Sequence, residues 1–285
     1  TGGFHNVTKG EFTDDTSMAL AMADAFIEKG TNSGTSFDGH LIMKNFLNWR
    51  YEGKYSPRGV CFDVGLTVAG ALSKYRADNT NPFTGDTDPM SAGNGGLMRL
   101  APAIIAAQSK EEAIFFARES TRLTHGCEEA LMYSEILAEE LWEKRTNERG
   151  DRFKLPSDTD RSKVLSGGYV KETYQAAWWA YQTSGSFEEC VVKAINRGHD
   201  SDTTGAVAGM IAGAMYGFSK IPDWMINGLQ WKGHIIMTAL QLKLGKGGTH
   251  RFLRKHLFSQ KAKRGDTASI FGKKAYCLDE MANYG

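Results

Sequence analysis

The sequence is poor in cysteine and has no excess of either charge. Its four cysteines, Cys61, Cys127, Cys190 and Cys277, lie far apart, with no CxxC pair and no histidine at zinc-finger spacing. That distribution argues against a disulfide framework or a structural zinc site and fits free thiols in a reducing, cytoplasmic compartment. Against 33 Asp and Glu stand 34 Lys and Arg, a net charge of +1, so no global field draws nucleic acid or an anionic membrane. No apolar run approaches the roughly 18 residues that span a bilayer, and no basic-then-apolar leader opens the chain. Neither membrane nor nucleic acid is expected as a partner, and nothing in the sequence sets an oligomeric state. The one locally basic stretch, Lys246 to Arg264, carries Arg251, Arg254, Lys255, Lys261, Lys263 and Arg264 with few aromatics between them, and it reads as a solvated surface.

Alternating strand patterns are missing as well. Helical periodicity takes their place: Met18, Ala19, Met22, Ala25 and Phe26 form one stripe that Lys29-Gly30 ends. Further helices are predicted over 37–51, from Gly65 to about Tyr75, and over 110–122, 127–145, 169–183, 187–197, 202–218 and 223–244. Ser36 or Asp38 would cap the second. Residues 77–96 are irregular and read as a functional loop or a disordered one, and 146–167 as an exposed polar connection. The chain is 41% hydrophobic and long enough for a sizeable core. The expectation is an all-α fold, a single compact multi-helix domain over residues 1–285.

Two clusters of oxygen-bearing side chains each open a helix: Thr13-Asp14-Asp15 and Asp200-Ser201-Asp202-Thr203-Thr204. Alone, each reads as a helix cap with acids in the first turn. Adjacent carboxylates also repel unless a cation holds them, and two clusters of one design suggest the two halves of one hard-cation site. The helix behind the second cluster carries Gly205, Gly209, Gly213 and Gly217 at every fourth position. Since each glycine costs about 1 kcal/mol of helix propensity, this stripe predicts a central helix, buried on most sides, against which a neighbouring backbone packs closely.

Glu11-Phe12-Thr13-Asp14-Asp15-Thr16-Ser17-Met18 resembles the first metal motif of the ADP-ribosylglycohydrolase family, which includes the dinitrogenase reductase-activating glycohydrolases, and Gly198-His199-Asp200-Ser201-Asp202-Thr203-Thr204-Gly205 resembles its second. Gly93-Asn94-Gly95-Gly96-Leu97-Met98-Arg99, Thr124-His125 and Ser166-Gly167-Gly168-Tyr169-Val170 are similar to its substrate loops, in the same order. The resemblance runs over about residues 1–220. It implies that Thr13, Asp14, Asp15, Asp200, Asp202 and Thr203 ligate two magnesium ions, with manganese also compatible. It implies a hydrolase that removes ADP-ribose from modified protein side chains, so that an ADP-ribosylated protein or ADP-ribose is the partner. Oxygen ligands and retained waters suit that chemistry, because such a site can hold ribose hydroxyls and activate a water aimed at the anomeric carbon.

Asp63, in Phe-Asp-Val-Gly, matches an acid of the arginine-directed members, which makes arginine the favoured target and gives Asp63 a catalytic role beside Asp14 and Asp202. Read from its own residues, Asp63 is more readily a cap bonding to Gly65 or Leu66 N–H, and only the family match brings the two readings level. Gly93, Asn94, Gly95 and Gly96 would let backbone N–H groups approach a pyrophosphate, or form only a turn. Arg99 would aid the phosphates or pair with a surface acid. His125 would line the ribose pocket, Gly168 would belong to a substrate loop, and Tyr169 would pack on the substrate or in the core. The family's glycine-rich first helix with its early acid would precede the Thr-Gly-Gly-Phe at which this sequence begins, lie elsewhere in it, or come from another chain. No chemical role is assigned beyond Ile221. A catalytically impaired ADP-ribose-binding protein, or a dinuclear hydrolase of another nucleoside or phosphoester bond, remain the alternatives.

Overall fold

A computed structural model describes residues 3–30, 37–145, 163–253, 269–270 and 273–274. Ser36, most of the 146–167 connection, Cys277 and the basic residues Arg254, Lys255, Lys261, Lys263 and Arg264 lie outside the described residues. The elements in chain order are α1 (Asp14–Lys29), α2 (Gly39–Glu52), α3 (Leu66–Ala77), α4 (Ala101–Ala106), α5 (Lys110–Arg122), α6 (Glu128–Arg145), α7 (Val170–Gln182), α8 (Phe187–Ile195), α9 (Ser201–Tyr216), α10 (Asp223–Gly228) and α11 (Lys232–Leu253). Strand structure among the described residues is limited to the antiparallel pair Ser269–Ile270 and Lys273–Lys274. No described helix is long and apolar enough to cross a membrane.

The caps follow from sequence. Asp38 accepts from Leu41 N–H and begins α2, and Gly53, at φ 72°, ends it. Ser109 accepts from Glu112 N–H while the Glu112 carboxylate accepts from Gln108 N–H. Ser186 and Glu189 repeat that reciprocal cap at α8, with Gly185 as the second donor. The predicted helix over 223–244 is divided. Its chain leaves the helix at Leu229, turns at Trp231 with φ 55°, and resumes as α11, which is itself kinked at Gly245. Trp231 anchors this break edge-to-face on Phe12, and Gln230 N–H donates to Gly10 O.

Two apolar clusters result. In the first, α1 through Met18, Met22 and Phe26 packs with Ile42, Phe46 and Trp49 of α2 and with Leu242 of α11. The second gathers α6 to α9 around Leu137, Tyr174, Val207 and Ile211. Each large apolar side chain fully buried there contributes about 1.5–3 kcal/mol. Within the segment beyond Ile221, α11 is thus part of the scaffold, since it packs against α1.

The glycine stripe of α9 departs from expectation. The face that α9 buries is Thr203, Thr204, Val207, Ala208, Ile211 and Ala212, which shares its cluster with Ala176, Ala177 and Ala180 of α7 and Ala194 of α8. Alanines make the close approach. A Cβ at Gly209, Gly213 or Gly217 would have no atom within 4 Å, and only Gly205 meets a neighbour, Ile195 Cγ2 at 2.8 Å. With no backbone to clash with, Gly209→Ala should raise stability by about 1 kcal/mol through helix propensity. Urea unfolding would show a higher midpoint at unchanged m-value, and a lower midpoint would mean that the glycine face is occupied.

Candidate functional site

The N-termini of α1 and α9 meet. Thr13, at the cap position of α1, has extended backbone (φ −92°, ψ −160°) but makes no side-chain cap bond. Its hydroxyl instead lies 2.8 Å from Asp15 Oδ2 and 3.1 Å from Asp202 Oδ2, a link between residues 189 positions apart. Asp200, at the cap position of α9, likewise caps nothing. Its N–H donates to Ser166 O, and its Oδ2 accepts from Asn94 Nδ2 at 2.7 Å. Asp38 does cap its helix, so the same residue type behaves differently at Asp200, which lines a cavity together with Asp14 and Asp202. One hydroxyl carries one proton and cannot satisfy two carboxylates at once. A proton or a cation is needed between them.

Asp63 joins this group from the loop before α3. It does not cap α3, whose cap position is Gly65 with no side-chain bond. Its backbone is left-handed, φ 55°, uncommon outside glycine, and His5 Nε2 donates to its Oδ1 at 2.8 Å. A cavity of ≈ 250 Å³ is lined by Asp14, Asp63, Asp200, Asp202 and Thr203 together with Asn94, Gly168 and His125.

Burial and mutual repulsion set the electrostatics. Asp14 is raised well above the ordinary carboxylate range, first by desolvation and then by the charges of Asp15, Asp63, Asp202 and Asp200. Asp15 is pushed up to about 7, mainly by desolvation and then by Asp202, with the Thr13 hydroxyl opposing. Desolvation also raises Asp63, with the Asp202 charge adding and His5 opposing. It raises Asp200 too, against the hydrogen bonds from Asn94 and Thr203. Such a set is costly unless neutralised. Among the described residues His5 is the only ion-pair partner of any of the five, and Asp15 Oδ1 is buried with no hydrogen-bond partner. No three His, Cys, Asp or Glu side chains among the described residues already surround a single point. Two of the acids, Asp15 and Asp202, are bridged instead by the Thr13 hydroxyl. An ion here would draw on one or two carboxylates with hydroxyl and water oxygens, and Mg²⁺ is bound in that way. An all-oxygen set with one orphaned carboxylate oxygen fits such a cation.

The substrate-loop candidates divide. Asn94 is buried and donates to both Thr173 Oγ1 and Asp200. Gly93 and Gly95 lie against the His125 ring: a Cβ on either would stand 3.1 Å from its Nε2 and 2.7 Å from its Cε1, respectively. Gly168 accepts from Asn94 N–H, and with Gly93 it lines both this cavity and an adjoining cleft of ≈ 590 Å³. In that cleft Tyr169, 37% exposed and so not a core residue, donates to Glu129 Oε1 at 2.5 Å. Gly96 serves packing instead, since its Cβ would fall 2.4 Å from Thr121 Cγ2 on α5.

Arg99 is a correction. It is 0% exposed and donates to Gly95 O, Ser120 O and Thr124 Oγ1 at 2.7–3.1 Å, with Phe46 under its guanidinium. Among the described residues it pairs with no surface acid, and it lines neither the cavity nor the adjoining cleft; it pins the glycine loop to α5 from behind. Burial lowers its pKa to about 9, with the Asp14 charge opposing. Thr124 Oγ1 accepts from Arg99 and lies 2.9 Å from His125 Nδ1. The Nε2 edge of the ring lies against Gly93, and His125 lines the cavity. Desolvation first, then the Arg99 charge, hold His125 down at about 3, so it is neutral. His5 and Glu129 had no signal in the sequence, because their roles depend on which loop lies opposite.

The sequence profile of the ADP-ribosylglycohydrolase family matches residues 2–251. The chain is 31% identical over 259 residues to the ADP-ribosylarginine hydrolase Tri1 of Pseudomonas putida (strain GB-1), covering 85% of this chain and 68% of the relative. It is 29% identical over 242 residues to the ADP-ribosyl dinitrogen reductase glycohydrolase of Rhodospirillum rubrum, covering 81% and 78%. A solved structure described as an ADP-ribosylglycohydrolase-related protein complex superposes with a TM-score of 0.70 at 32% identity, over 86% of this chain and 85% of that one.

The Asp15 shift has a consequence for stability. Its folded pKa of about 7 lies above the ordinary 3.8, so between those values this group makes the folded state bind more protons than the unfolded one, and its contribution to stability falls as pH rises. Carboxylates held low, such as Glu11 and Asp38, contribute in the opposite sense, so the Asp15 part is read by difference: with a chelator present, the Tm of wild type minus that of Asp15→Asn should decrease from pH 4 to pH 7. A difference that rises over this window would contradict the cluster as described.

Proposed function

The chain belongs to the ADP-ribosylglycohydrolase family, and from that premise we propose that it hydrolyses the N-glycosidic bond between ADP-ribose and a protein arginine, with Mg²⁺ as cofactor, in a reducing cytoplasmic compartment. The observation that carries this reading is the junction of two distant acid clusters through the Thr13 hydroxyl. Asp14, Asp15, Asp200 and Asp202, with Thr13 and Thr203, would hold the cations. Bound there, divalent ions supply Lewis acidity toward ribose hydroxyls and water.

The remaining steps are those of the chain's own residues. His125, neutral and lining the cavity, offers its Nε2 edge to a ribose hydroxyl. Gly93, Gly95 and Gly168 bring backbone close to the bound group with no side chain between. Tyr169, held by Glu129, presents its ring to whatever continues into the adjoining cleft. Asp63 faces the cavity with a raised pKa, the property wanted in a group that exchanges a proton with a leaving guanidine. Its carboxylate also pairs with a guanidinium, which is the reason for preferring arginine over serine as the modified residue. In the balanced reaction, water adds to the anomeric carbon, the C–N bond breaks, and the departing guanidine takes a proton. The described cysteines, Cys61, Cys127 and Cys190, are free thiols, the state a reducing compartment maintains.

The test is release of ADP-ribose from an arginine-modified protein beside a serine-modified one. Asp14→Asn and Asp202→Asn should each lower turnover by about 10³-fold or more, and EDTA should abolish it until Mg²⁺ is returned. Asp63→Asn should cost about 10²-fold. Unchanged turnover in the Asp14 and Asp202 variants, or equal activity on the serine substrate, would defeat the respective parts of the proposal.

A further inference from the structure

The Asp63 carboxylate occupies a position that its own loop does not stabilise. The backbone is left-handed at φ 55°, and the neighbouring Asp14 and Asp202 repel it. Outside the acid cluster, its side chain is held by His5 Nε2 at 2.8 Å. His5 is itself held. Phe4 meets its ring edge-on at 5.0 Å, and Phe62, the residue before Asp63, lies at 6.0 Å on a tilted plane. The guanidinium of Arg58 covers Phe62 at 4.1 Å. It is fixed in turn by Glu11, through contacts of 2.8 and 3.2 Å, and by Asn6 O. Segments 4–11 and 58–63 therefore close on each other through an ion pair at one end and the His5–Asp63 bond at the other.

We propose that His5 is a positioning residue for Asp63: its ring N–H fixes Oδ1 so that the carboxylate stays aimed into the cavity instead of swinging to solvent or collapsing onto the acid cluster. This rests on the reading of Asp63 as the acid at the scissile bond. A carboxylate among other carboxylates has no preferred direction of its own, and a single neutral or cationic donor outside the cluster supplies one. The donor comes from a segment preceding α1, so the first metal cluster and the orientation of Asp63 are set by one stretch of chain, residues 4–15.

The experiment measures kcat and KM on the arginine-modified protein, and ADP-ribose affinity by calorimetry, for wild type, His5→Ala, His5→Gln, Asp63→Asn and the double variant His5→Ala/Asp63→Asn. His5→Ala should lower kcat by about 10- to 100-fold, the range typical for residues that orient a functional group, with KM and ADP-ribose affinity within about twofold. His5→Gln, which keeps an N–H donor, should recover most of the loss. In the Asp63→Asn background His5→Ala should change the residual kcat by less than about twofold, because the two act as one unit. The inference is overturned if wild type turns over and His5→Ala matches it, if glutamine does no better than alanine, if the losses multiply in the double variant, or if ADP-ribose binding falls with kcat. A wild-type protein that binds ADP-ribose but hydrolyses neither modified protein would overturn the functional reading, and this inference with it.

Discussion

Everything at the centre of this molecule is arranged around one unfavourable fact: five carboxylates share a small, partly desolvated space. Repulsion of that kind is tolerable only where the surroundings cannot relax away from it. Two sixteen-residue helices, α1 and α9, start at the cluster, so the positive ends of both macrodipoles face the acids. Behind α1 lie α2, α4 and α11, and behind α9 lie α7 and α8. Buried side chains such as Met18, Met22, Val207 and Ile211 fix the two helix starts in place. The apolar clusters act as clamps on a charged hinge.

Most helices were legible because their signals are local: the stripe in α1, the Ser-x-x-Glu boxes of α5 and α8, and the Gly53 stop of α2. The pairing of Thr13-Asp14-Asp15 with Asp200-Asp202 was legible because both clusters share a composition and a position. What failed shares a different property. Arg99 looked like a phosphate ligand, since an arginine after a glycine loop is usually exposed; only the fold reveals that the loop folds back over it. The α9 glycines looked like a packing seam, yet the alanines beside them make the contact, a distinction of one helical register. The break at Leu229–Trp231 depends on Phe12 and Gly10, more than two hundred residues earlier.

The loop from 77 to 96 shows how irregular chain becomes precise without regular structure. Gly93 pairs with Tyr169 in an isolated bridge, Asp86 pairs with His125, and Arg99 ties Gly95 from behind. The buried face of this loop is a hydrogen-bonded network from Arg99 through Thr124 to His125, and the open face is the cavity floor. Rigidity on one side leaves the other free to present backbone and a single imidazole.

The single proton of the Thr13 hydroxyl leads further. Asp15 and Asp202 both lean on it, and burial and mutual repulsion raise the pKa values of Asp14 and Asp15. A divalent ion entering the cluster would displace their protons instead of merely adding charge. Cation affinity would then climb with alkalinity across the acid side of neutrality, and each binding event would acidify its surroundings. The pair of helix starts would then act as an ion exchanger as much as a binding site.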